Sequence, residues 1–114
     1  MSQSPVVVIA FKDLEHDERV REAVHRRCEQ LREEFHEVTR FEITFDAGRV
    51  GVAAHGHVHG KGEDLGAQAQ ASEILPAAEA LLDKLERQLR KHHDKRIFAQ
   101  RREAQRDGMR KKTS

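Results

Sequence analysis

The residues best suited to chemistry are cations gathered in one stretch: Lys84, Arg87, Arg90, Lys91, Lys95 and Arg96, within LLDKLERQLRKHHDKR. Lys84, Arg87, Lys91 and Lys95 fall three, four and four residues apart, the spacing that lines side chains up along one helical face. Ammonium and guanidinium groups arrayed in this way neutralise phosphates, so the row points to recognition of a polyanion through its backbone charge. A plainer use is solubility with intrahelical pairing: Asp83 with Arg87 and Glu86 with Arg90 are spaced for ion pairs worth about 0.2–0.5 kcal/mol each. That use leaves Lys84, Lys91 and Lys95 without an acidic neighbour. Arg101, Arg102, Arg106, Arg110, Lys111 and Lys112 then prolong the strip well beyond what helix stability requires.

A second group is the alternating His55, His57 and His59. On a strand, alternate residues share one side and lie about 6.6 Å apart. Imidazoles at that spacing share a metal only if another segment adds ligands at about 2 Å, and the neighbouring sequence offers no evident acidic partner, no CxxC and no HExxH. No metal is expected. The readings left for these histidines are an exposed sheet surface, or an RNA-facing surface that gains charge near pH 6.

Catalytic signatures are missing: there is no P-loop, no nucleophile elbow and no carboxylate pair at a definable separation, so no enzyme and no cofactor are expected. Gly60, Lys61 and Gly62 read as a hairpin turn, because no helix start follows to supply a phosphate-binding dipole. Cys28 falls in an apolar row and reads as a small core residue. With no Tyr or Trp in the chain, an aromatic platform for splayed bases is excluded, which leaves recognition by phosphate and shape.

Charge is distributed unevenly about the row. Residues 1–83 hold 9 Lys and Arg against 16 Asp and Glu, whereas residues 84–114 hold 12 against 4. An acidic body with a basic end suits a polyanion-binding arm. A lone cysteine and the lack of any long apolar run predict a cytoplasmic protein, with no membrane partner and MSQSP as a polar lead-in.

Positioning the row requires a folded body. Val6–Phe11 is a β-branched run expected as the first strand, and Asp17 is a plausible cap for a helix whose apolar positions are Val20, Val24, Cys28, Leu31 and Phe35. Phe41, Ile43 and Phe45 alternate with polar residues in a second strand, and residues 46–48 are expected to turn the chain. Val50, Val52, Ala54 and Val58 mark the inner side of a third strand, and Leu65, Ala67 and Ala69 that of a fourth over Asp64–Gln70. The last helix starts at Ser72 or Glu73, tolerates Pro76 in its first turn, and buries Ile74, Ala78, Leu81, Leu82, Leu85 and Leu89. The fold class is therefore α+β in the order β-α-β-β-β-α: a four-stranded mixed sheet, two helices packed on one face, a right-handed crossover between the first two strands, and a basic C-terminal tail. Residues 1–97 form the domain and residues 98–114 a basic, flexible tail. The open sheet face would show Arg40, Glu42, Thr44, His55, His57 and His59.

Two segments carry a family resemblance. DERVREAVHRRCEQLREEFHEVTRFEITF, residues 17–45, resembles the helix and following strand of the short ribosome hibernation-promoting factors and ribosome-associated inhibitors, also described as sigma-54 modulation proteins. DKLERQLRKHHDK, residues 83–95, resembles the DKLxRQLxKHKDK pattern of their second helix. The resemblance spans Val6 to Lys95. It implies the same element order and a non-enzymatic translation inhibitor that binds the small ribosomal subunit in the channel for messenger and transfer RNA, silencing idle ribosomes in stress or stationary phase. It further implies that Lys84, Arg87, Lys91 and Lys95 face ribosomal RNA, with no small-molecule substrate and a monomeric free protein. Departures are His93 where lysine is common, Leu75 in place of an aromatic, and a short hairpin between Phe45 and Val52. Alternatives are a generic double-stranded RNA-binding module, or a metal-binding protein built on the His55, His57 and His59 strand.

Overall fold

A computed structural model describes the backbone of residues 6–113 and the side chains of residues 6–94 other than residue 63. The elements run β1 (Val6–Lys12), α1 (Glu18–Glu34), β2 (Val38–Gly48), β3 (Gly51–Gly60), β4 (Glu63–Ala71) and α2 (Ile74–Thr113). The order expected from the sequence is the one observed.

Local chemistry accounts for each boundary. The Asp17 carboxylate accepts from the backbone N–H groups of Arg19 and Val20 at 3.0 and 3.3 Å, satisfying donors that have no partner inside the helix and opening α1 where expected. At the other end the N–H of Phe35 donates to Leu31 O at 2.7 Å. α2 begins one residue past Glu73, whose carbonyl accepts from the Ala77 N–H at 3.2 Å. Pro76 therefore falls in the first turn, where a missing N–H costs nothing.

The sheet order is β1-β2-β3-β4, with β1 parallel to β2 and both hairpins antiparallel. The first hairpin departs from expectation. β2 continues through Asp46 and Ala47 to Gly48, which pairs with Gly51, so Arg49 and Val50 alone make the turn. Val50, expected on the inner side of β3, is a turn residue and 91% exposed. Gly51 has φ +119°, and a Cβ there would stand 2.2 Å from Ala71 O, so glycine is the residue this tight reversal requires. The second hairpin turns through Lys61 and Gly62, as expected.

Both helices lie on one sheet face over a single core. Val20, Val24, Cys28 and Leu31 of α1, with Phe35, meet Phe41, Ile43, Phe45, Ala54 and Val58 of the sheet and Ala78, Leu81, Leu82, Leu85 and Leu89 of α2. Each leucine or phenylalanine taken out of water in this way contributes about 1.5–3 kcal/mol. Burial also pushes the Cys28 thiol up to about 12, as expected of a core cysteine. The face away from the helices carries Arg40, Glu42, Thr44, His55, His57 and His59, with Val6 and Val8 of β1 beside them. Among the described residues no helix is long and apolar enough to cross a membrane.

α2 is helical in backbone from Ile74 to Thr113, so residues 98–113 prolong the same helix. Their side chains, and those of Lys95 and Arg96, lie outside the described residues, as does residue 114.

Candidate nucleic-acid interface

α2 is amphipathic in three directions. Its leucine face is buried: Leu81, Leu85 and Leu89 are fully enclosed. Gly56 on β3 makes this approach possible, since a Cβ there would come within 2.9 Å of Leu85 Cδ1. The helix thereby sits close to the sheet, and its other two flanks are fixed by that seat.

The flank beside β4 carries the expected cations. Lys84, Arg87 and Lys91 are exposed, and among the described residues no carboxylate pairs with any of them. Lys84 Nζ donates to Gln68 O at 2.7 Å and Gln88 Nε2 donates to Gly66 O at 2.9 Å. β4 is an edge strand, and these two side chains occupy two of its outward carbonyls. The match is geometric: four helical residues advance about 6 Å and two strand residues about 6.6 Å. Covering an edge in this way also blunts unwanted strand pairing.

The flank beside α1 is a network of ion pairs. Arg27 of α1 reaches Asp83 at 2.8 Å and Glu86 at 3.2 Å, and these hydrogen bonds, Asp83 foremost, raise its pKa above the usual guanidinium range. The pair expected between Asp83 and Arg87 is thus replaced by one across the helices, which sets Arg87 free of that partner. Arg90 pairs with Glu34 at 2.9 Å and with Glu86 at 3.4 Å, and its guanidinium lies 5.9 Å from the centroid of the Phe35 ring. Arg90, itself exposed, thus lies beside the row at the seam between the helices. His93 turns toward the same seam, edge-on to Phe35 at 5.9 Å and 3.7 Å from Glu37. This packing gives the histidine a role at a position expected to carry lysine.

On the open face the pairing register supplies what the linear sequence hid. β3 and β4 place Asp64 opposite His59. The Asp64 carboxylate hydrogen-bonds His57 Nε2 and lies 3.8 Å from His59 Nδ1. The His57 and His59 rings stack at 4.4 Å, nearer than strand spacing alone suggests, because both lean toward that carboxylate. An acidic partner is present after all. Once the Lys61–Gly62 turn is recognised, counting outward from it pairs residue 59 with residue 64, and that count was the available signal. His55 instead faces Thr44 and Gln68 across the strands and takes no part in the cluster.

The fold and its charged flank define a class: a small α+β protein with a helix-covered mixed sheet and an exposed cationic face on its second helix. Within that class, the chain belongs to the family described as sigma 54 modulation protein / S30EA ribosomal protein, whose family model matches residues 7–97. It is similar to the ribosome hibernation promoting factor of Escherichia coli K12, with 29% identity over 87 residues, covering 76% of this chain and 92% of the relative. The Shigella flexneri protein of the same name matches to the same extent. In fold it resembles a ribosomal subunit interface protein from Coxiella burnetii, with a TM-score of 0.67 at 20% identity over 77% of this chain and 97% of that one. The N-terminal domain of Thermus thermophilus protein Y is equally near, with a TM-score of 0.67 at 15% identity over 76% and 98%.

Proposed function

We propose that the protein is a ribosome-associated translation inhibitor that binds the small subunit in the channel for messenger and transfer RNA and silences idle ribosomes under stress or in stationary phase. The observation that carries this reading is the row of Lys84, Arg87 and Lys91, exposed, unpaired with any described carboxylate and mounted on a rigid helix seated against β4. Membership of the S30EA family and relatives named for ribosome hibernation support it.

The mechanism is occupancy. Phosphates of ribosomal RNA meet the row, Lys95 and Arg96 extend it, and Arg90 adds its charge from the seam. Residues 98–113, which continue the same helix, carry the basic charge further along the RNA. The folded body then fills space that messenger and transfer RNA need, and no bond is made or broken. The free protein is a cytoplasmic monomer.

The test is sedimentation of the purified full chain with separated small and large ribosomal subunits, in competition with excess duplex RNA. Selective travel with the small subunit supports the reading. Loss of binding to duplex competitor at equal phosphate concentration would instead describe a generic double-stranded RNA module.

A further inference from the structure

We propose that the open sheet face holds a site for a borderline divalent transition cation such as zinc, with His57, His59 and Asp64 as ligands and Glu42 as the group that orients His59. This goes beyond the ribosome reading and shares no residue with the cationic row.

The ligand atoms of the three residues all lie within 4.8 Å of one another. A tetrahedral zinc ion with bonds of about 2.0–2.1 Å holds its donors about 3.4 Å apart, so small side-chain movements, opening the His57–Asp64 pair and drawing His59 in, complete the set. The convergence is specific. His57 Nε2 and His59 Nδ1 both face the same oxygen of Asp64, the first in hydrogen-bond contact and the second at 3.8 Å. Two imidazoles and one carboxylate are a donor set that suits zinc, cobalt or nickel and is ill matched to magnesium or calcium, which prefer oxygen alone.

The remaining nitrogen of His59 strengthens the case. Its Nε2 lies 3.4 Å from Glu42 Oε1, and Glu42 accepts from Arg40 Nε at 2.8 Å. A carboxylate behind one ring nitrogen fixes the tautomer that leaves the other nitrogen free to ligate, an arrangement that commonly accompanies metal-bound histidine. β3 and β4 hold all three ligands in paired register across a two-residue turn, so they are preorganised. The fourth position faces solvent and is left to water or to a group from outside the chain.

The test uses purified full-length protein and the metal alone. Titration with Zn²⁺ followed by calorimetry should give one site per chain, and Co²⁺ should give visible absorption bands of a low-coordinate nitrogen and oxygen site. Mg²⁺ in excess should not compete. His57→Gln, His59→Gln and Asp64→Asn should each weaken Zn²⁺ binding by more than Glu42→Gln, for which a loss of about 10-fold or more is expected. His92→Gln with His93→Gln should leave binding unchanged. In the unsubstituted protein, ring resonances of His57 and His59 should shift on Zn²⁺ addition while those of His92 and His93 stay put, which keeps the test independent of variant folding. Absence of Zn²⁺ binding, or binding that survives substitution of both His57 and His59, or shifts confined to other histidines, would overturn the proposal.

Discussion

Lys84 on α2 donates its ammonium proton to the main-chain carbonyl of Gln68 on β4 at 2.7 Å, so the first cation of the exposed row is also a clamp on the sheet edge. Lys84 then differs in kind from Arg87 and Lys91. Replacing Lys84 by Met is expected to cost about 0.5–1.5 kcal/mol of stability, the net worth of one such hydrogen bond. Arg87→Ala and Lys91→Ala should stay within about 0.5 kcal/mol of the parent. Urea denaturation of the three variants measures the difference, and equal stabilities would show that the clamp is idle.

The first hairpin should be intolerant of a side chain at its second glycine. Gly51→Ala forces φ +119° on alanine and drives its Cβ against Ala71 O, so a loss of about 1–3 kcal/mol is expected. Val50→Thr at the adjoining exposed turn position is the control and should be nearly neutral. Thermal melts of both variants suffice.

Cys28 should be silent in the native protein. Burial raises its thiol to about 12 from an unfolded value of 9.0, so at pH 8 a thiol reagent should react only on unfolding. The sign of the linked stability follows. Between those two values the unfolded chain has lost the proton that the folded chain keeps, so the contribution is fully present below pH 9.0 and declines as pH rises toward about 12. Cys28→Ala should flatten that alkaline decline, and denaturation midpoints at a series of alkaline pH values would reveal it.

Much of this arrangement is legible in the sequence because it is local. Leu81, Leu85 and Leu89 advertise α2 by their period, Asp17 advertises the start of α1 by its side chain, and Phe41, Ile43 and Phe45 alternate as one strand face must. What was hidden depends on residues distant in the chain. Arg27 takes Asp83 away from Arg87 across 56 residues, and no helical spacing rule anticipates that. Asp64 reaches His57 only through the β3–β4 register, and Val50 leaves the core because Gly48 pairs with Gly51. Arg90 keeps the Glu86 partner that its helical spacing predicts, but Glu34 of α1 joins it, a contact that spacing along α2 alone does not show.

If phosphate contacts dominate binding, affinity for ribosomes should fall steeply with salt. Six contacts, from the row with Arg90, Lys95 and Arg96, would give a slope of about −4 to −5 in log affinity against log salt concentration. Arg87→Gln or Lys91→Gln should each lower that slope by about 1 unit, while Arg27→Gln, on the opposite flank, should leave it unchanged. A slope indifferent to Arg87 and Lys91 would point to another surface.

The most direct test is charge reversal of the row. The full chain and its Lys84→Glu, Arg87→Glu, Lys91→Glu variant would be sedimented with purified small ribosomal subunits, with circular dichroism confirming that both are folded. The parent should travel with the small subunit and the reversed variant should remain at the top of the gradient. A folded variant that still travels with the small subunit would contradict the assignment of ribosome binding to this face of α2.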